Sequence, residues 1–155
     1  VNFFGAVDCA EIAEPYLKVS PSGGAAEQRK QLVFVSSLAT RLAFPRAGAY
    51  GASKAALDYL AASLRIDWAS SCCDVTLVSP GFVATPLTAS NDFSMPFIMS
   101  PQRAARAIVR GLERGKASIA FPLALRALLR VLAILPHSWQ AHLLTRDARR
   151  REARR

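Results

Sequence analysis

Two side chains in the stretch AYGASKAAL, residues 49–57, are of types that could move a proton together. Tyr50 and Lys54 stand four positions apart, and on a helix such residues share one face, about 5–6 Å apart at Cβ. Ala49, Gly51, Ala52, Ser53, Ala55 and Ala56 are small and leave that face uncrowded. An ammonium held beside a phenol favours the phenolate and lowers the phenol's pKa. That makes a proton donor and acceptor usable near neutral pH. Tyr-x-x-x-Lys is nonetheless a common pattern, equally compatible with a half-buried tyrosine and a solvated lysine on an ordinary helix. Its meaning rests on what the fold brings beside it.

The surrounding elements can be read from periodicity. Residues 2–19 carry Phe3, Val7, Ile12 and Leu17 at roughly helical spacing, and SPSGGAAEQRK (20–30) is a polar, Gly-containing loop. Residues 32–35 form a short unbroken apolar run, the pattern of a strand buried on both faces of a parallel sheet. A helix is predicted over 49–70 and a second strand over 74–79, stopped by Pro80–Gly81. Helix and strand in alternation imply right-handed crossovers and an α/β layered fold. Residues 82–99 are long, irregular and apolar in places, which suits either a mobile lid over a ligand or a pinned surface loop. Ser100–Pro101 reads as an N-cap and first helical residue, opening a helix that Gly115 ends, and ASIAF is a short final strand.

Ser37 closes the first strand, thirteen residues before Tyr50. In open α/β sheets ligands bind at the carboxyl ends of strands, so its hydroxyl can reach the substrate oxygen that Tyr50 addresses. Ser36, one residue earlier, points the other way on a strand. The Pro80–Gly81 turn belongs to the same sheet edge.

With these features together the chain resembles the carboxyl-terminal part of the short-chain dehydrogenase/reductase family. The likeness rests on Val1–Asn2, VSS at 35–37, YGASK at 50–54 and PGFVATP at 80–86, and it extends to about Phe121. It implies a partial Rossmann-like, doubly wound parallel sheet with flanking helices and an extra C-terminal helical segment. Residues 1–120 would be the C-terminal half of that domain, and 121–155 an apolar helical extension with an Arg-rich tail. By the same resemblance Tyr50 is the general acid/base and also contacts the cofactor, and Lys54 lowers its pKa and bonds the nicotinamide ribose. Ser37 orients the substrate oxygen, and Asn2 holds a water that relays protons to Lys54. Pro80, Gly81, Val83 and Thr85 wrap the nicotinamide, with the Val83 backbone on its carboxamide. The implied cofactor is NAD or NADP, and the implied substrate a small alcohol or carbonyl compound. Phe82, Phe93, Phe97, Ile98 and Met99 favour a hydrophobic one. A homo-oligomer of the full-length form is implied as well.

The family's front half, with its Gly-rich pyrophosphate turn, has no counterpart before Asn2. The chain is therefore expected to be a piece of a roughly 250–300-residue enzyme, inactive by itself. Two other readings stay open: a nucleotide-sugar epimerase or dehydratase, and a non-catalytic interaction or membrane-surface fragment.

Composition narrows the classes. At 52% hydrophobic and 20% charged residues the chain reads as globular. Its three cysteines, two of them adjacent, argue against a disulfide framework or a zinc site and fit a reducing cytoplasm. Of the formal charge of +9, the last ten residues contribute +4 through six arginines and two acids. Neither a zinc-finger spacing nor an RNA-binding aromatic motif accompanies it, so a nucleic-acid partner is not expected. The apolar run FPLALRALLRVLAILP falls short of the roughly 20 residues that span a bilayer. Packing on its own domain or a partner subunit is the preferred use, ahead of a membrane surface.

Overall fold

The computed structural model describes residues 2–19, 29–89, 91 and 93–152, with side chains through residue 145. Most of the polar loop expected over 20–30, Val1 of the family likeness and the Arg-rich tail's side chains lie outside the described residues. Three parallel strands, β1 (Lys30–Val35), β2 (Cys73–Pro80) and β3 (Ser118–Phe121), form one sheet in the order β1-β2-β3. Lys30 pairs with Cys73, Val35 with Val78, and Pro80 with Phe121, so the carboxyl ends of all three strands meet at one edge.

Alternation along the strands divides the molecule into layers. Phe34, Cys73, Val75 and Leu77 face one side, where they bury Ala10 of α1 (Phe4–Leu17), with Leu57 and Ala61 of α2 (Gly48–Asp67) and Trp68. Val33, Val78, Ile119 and Phe121 face the other and pack on Ala104, Ile108 and Leu112 of α4 (Pro101–Glu113). Helices therefore cover both faces, as the α/β expectation required. Arg65 of α2 donates to the carbonyls of Val75 (3.1 Å) and Ala117 (2.7 Å), which pins the helix to the entering ends of β2 and β3.

The expected helix over 49–70 ends three residues early. The Ser71 amide donates to Trp68 O (2.9 Å) and the Cys73 amide to Ser71 Oγ (3.2 Å), turning the chain into β2. The α4 prediction holds at both ends: Ser100 Oγ accepts from the Arg103 amide, Pro101 opens the helix, and Gly115 at φ +60° leaves it. Residues 121–136 contain α5 (Leu123–Ile134), whose Leu125 and Leu129 pack on Leu38 and Leu42. The short α3 (Pro86–Ala89) and the long α6 (His137–Glu152) complete the order. Among the described residues no helix is long and apolar enough to cross a membrane.

Gly111 marks the closest approach of α4 to the sheet, since a Cβ there would run into the Ile119 side chain, whereas one at Gly48 would meet open space. Gly111→Ala should destabilise the fold by about 1–3 kcal/mol through overpacking. Gly48→Ala should be neutral or slightly stabilising, by up to about 1 kcal/mol. Urea unfolding of the two variants reads the difference, and equal midpoints would contradict the packing.

Candidate functional site

The carboxyl end of β1 is joined to α2 by a reciprocal pair of hydrogen bonds. Lys54 Nζ donates to the Val35 carbonyl at 2.7 Å, while Ser36 Oγ donates to the Lys54 carbonyl at 3.2 Å. Ser36 is buried, as a side chain turned into the helix layer must be, and Ser37 is only half-buried. Burial lowers the Lys54 pKa from its ordinary 10.5, because the ammonium loses part of its water. The sign follows: the desolvation penalty is present at neutral pH and is lifted as pH rises through the folded pKa towards 10.5.

Ser37 caps the 3-10 turn Leu38–Arg41, its Oγ accepting from the Ala39 amide at 3.1 Å. That bond fixes the oxygen and leaves the serine's own O–H to be given elsewhere. Thr40 Oγ1 holds the turn from behind, its one hydrogen shared between Asp58 Oδ2 (2.8 Å) of α2 and Ser37 O (3.0 Å). Tyr50 lies one turn before Lys54 on α2 and is 44% exposed. Its hydroxyl hydrogen-bonds to no described residue. Asn2 is exposed in the turn ahead of α1, and no hydrogen bond joins it to Lys54 among the described residues.

Pro80 ends β2 and the Gly81 amide donates to Phe121 O at 2.7 Å. The chain is tight here: a Cβ at Gly81 would lie 2.7 Å from Leu125 Cδ2 and 3.0 Å from Pro122 Cδ, so both side chains would have to shift. The segment read as either a mobile lid or a pinned surface loop is pinned at its base. The Ala84 amide donates to Met99 O and the Met99 amide to Phe82 O, both at 2.9 Å, around a Val83–Met99 bridge. Val83's own amide donates to no described residue. Thr88 ties the turn internally, since its hydroxyl donates to Val83 O (2.7 Å) and accepts from the Thr85 amide (2.9 Å). Phe82 joins the apolar cluster of Leu38 and Leu125 and meets Phe93 edge-on at 5.9 Å. Leu38 follows Ser37 directly, so the ends of β1 and β2 share that cluster. Phe97 sits at φ 59° on the return of the loop, a region a bulky side chain seldom adopts, and is half exposed.

Sequence reasoning singled out Ser37, Tyr50, Lys54 and the Pro80–Thr85 turn, and missed Thr40, Asp58 and Thr88, which hold them. For Thr88 a signal existed, because Thr85 and Thr88 stand three apart after a Pro-Gly turn, the spacing of a hydroxyl–backbone turn. Asp58 lies four beyond Lys54, but its partner Thr40 is eighteen residues away. Among the described residues no cluster of side chains suits a metal ion.

Thr88→Val should free the Val83–Thr85 turn, at a cost of about 1 kcal/mol for each hydrogen bond removed. Amide exchange at Thr85 should quicken by roughly tenfold, while exchange in β2 stays unchanged. Unaltered exchange at Thr85 would contradict the assignment.

A family profile described as short chain dehydrogenase matches residues 1–94. An uncharacterized oxidoreductase of Myxococcus xanthus is 41% identical over 110 residues, covering 71% of this chain and 44% of that protein. A dehydrogenase/reductase SDR family protein 7-like of Anopheles gambiae is 30% identical over 153 residues, covering 90% of this chain and 46% of its own. The crystal structure of a short chain dehydrogenase from Burkholderia cenocepacia, in complex with NADP, superposes with a TM-score of 0.73 at 26% identity, over 93% of this chain and 56% of that one. The chain thus spans about half the length of the relatives it matches. With the fold, the strand-end geometry and the profile in agreement, the chain belongs to the short chain dehydrogenase family.

Proposed function

We propose that the protein is an NAD(P)-dependent oxidoreductase interconverting a hydrophobic alcohol and its carbonyl compound, with Tyr50 as general acid/base. The observation that supports this most is the reciprocal bonding of Lys54 with Val35 and Ser36. It holds an ammonium, a phenol-bearing helix face and the Ser37 hydroxyl around one strand end. The donors left unengaged fit a nicotinamide cofactor: the Val83 amide, suited to a carboxamide, and the remaining hydrogens of the Lys54 ammonium, suited to a ribose. Pro80, Gly81 and Thr85 line the same turn. NADP is bound by the Burkholderia relative, and a nicotinamide supplies the hydride in this chemistry.

In the reductive direction Ser37 gives its free hydrogen bond to the substrate oxygen and stabilises the negative charge that grows there. Tyr50 transfers its phenolic proton to that oxygen, and Lys54 stabilises the phenolate left behind until solvent reprotonates it. Asn2 is proposed to hold the relaying water. Oxidation runs the same steps backwards. Phe82 and Phe93 supply an apolar wall, and the exposed Phe97 and Ile98 extend it, which favours a hydrophobic substrate. The exposed Tyr16 of α1 and Tyr59 of α2 fit a homo-oligomer assembled through those helices.

In the protein expressed at full length, Tyr50→Phe should lower kcat by about 10²–10⁴-fold while nicotinamide affinity, read by fluorescence quenching, changes less than about twofold. Wild-type turnover in this variant would remove Tyr50 from the mechanism.

A further inference from the structure

Outside the strand-end site, positive charge gathers beside β3, between α4 and α5. A cavity of about 230 Å³ between α4, β3 and α5 is lined by Arg110, Arg114, Lys116 and Arg126, together with Ser118. The four cations come from three different stretches of chain, and none makes an ion pair among the described residues. No carboxylate lines the cavity, and Glu113 on the same turn is not part of its wall. The stretch that carries Lys116 is held firmly: its carbonyl accepts from Thr76 Oγ1 at 3.0 Å, its amide donates to Gly111 O at 3.0 Å, and Arg65 donates to Ala117 O. The backbone that carries Lys116 is thus fixed beside the sheet, while all four cationic side chains are exposed and able to meet an anion.

Arg126 also lines a second, open groove along α5, with Arg130, Leu123, Ala127, Val131 and Ile134. The opposite face of that helix is the one that packs on the domain, through Leu125 and Leu129. Leu123 is 72% exposed, Val131 63% and Ile134 84%. Half of α5 thus serves the core, and the other half offers an apolar strip flanked by arginines and continuous with the cation-lined cavity. The open edge of β1 lies on the far side of the sheet, beyond β2.

We infer that this α4–β3–α5 surface docks on an anionic lipid bilayer, with Arg110, Arg114, Lys116 and Arg126 on phosphate headgroups and Leu123, Val131 and Ile134 in the acyl boundary. A free phosphate would satisfy the cations but give no reason for the apolar strip. A neutral apolar partner would leave four unpaired cations at its margin. A bilayer carrying acidic headgroups matches both, in the manner of an interfacial amphipathic helix. The docking would be peripheral, and it places the protein where apolar substrates dissolve.

The test is co-sedimentation of the full chain with two vesicle types, phosphatidylcholine alone and an equal mixture of phosphatidylcholine and phosphatidylglycerol. The proposal expects at least about tenfold stronger partitioning to the anionic vesicles, weakening as salt rises. Arg114→Ala/Arg126→Ala should lower that partitioning by at least about tenfold, and Val131→Ser/Ile134→Ser should lower it comparably. All four residues are exposed, so circular dichroism melting should match wild type and separate lost docking from lost folding. Equal partitioning to both vesicle types, or none to either, would overturn the proposal. So would indifference to either variant pair, capture of RNA in place of vesicles, or a self-association that Val131→Ser/Ile134→Ser dissolves without any vesicle binding.

Discussion

The arrangement at the sheet edge depends on one contact, the Lys54 ammonium on the Val35 carbonyl. The Val35 carbonyl faces the edge of β1 that no described strand pairs, while the next amide, Ser36, bonds to Val78 O, so the carbonyl is available to a cation. Lys54 takes it at 2.7 Å and returns an acceptor through its own carbonyl to Ser36. Helix and strand are thereby registered to each other through Lys54, Val35 and Ser36. Tyr50 then falls one helical turn to one side, and Ser37 one strand residue beyond. Partial burial of the ammonium weakens its hydration and lowers its pKa.

The second half of the edge is built by close approach. Gly81 allows the chain after β3 to come against the end of β2, and Leu125 fills the space a side chain would have taken. The same Leu125 belongs to the cluster of Leu38 and Phe82, so the turn after Ser37 and the turn after Pro80 rest on one apolar floor. Thr88 and the Val83–Met99 bridge stiffen the base of the loop while its tip, with Phe97 and Ile98, remains exposed.

Most of the fold was legible because its signals are local. The unbroken apolar runs of β1 and β2, the Ser100–Pro101 start and the Gly115 stop each record a short-range requirement, and the structure has elements at each. The placement of Ser37 at a strand end, and of Tyr50 and Lys54 on one helix, was readable from spacing, because strand ends and helix faces follow from periodicity. What escaped depends on distant parts of the chain. Thr40 meets Asp58 across eighteen residues, and Gly81 meets Phe121 across forty. The two faces of α5 were likewise hidden. Leu125 and Val131 are both apolar positions of one helix and look alike in sequence, and only contact with Leu38 and Leu42 tells which side is core. The short α3 and the extent of α6 carry weak capping signals, and neither stands out from the sequence as a separate element.

The central claim is that this strand-end site performs hydride chemistry on a carbonyl. Its most direct test is the absorbance of NADPH, and separately NADH, incubated with the full-length protein and a panel of apolar aldehydes and ketones. The account predicts loss of reduced nicotinamide that requires both the protein and a carbonyl compound, and that stops when Lys54 is replaced by Met. A folded protein that consumes neither cofactor with any apolar carbonyl, nor forms either from the matching alcohols, would contradict it.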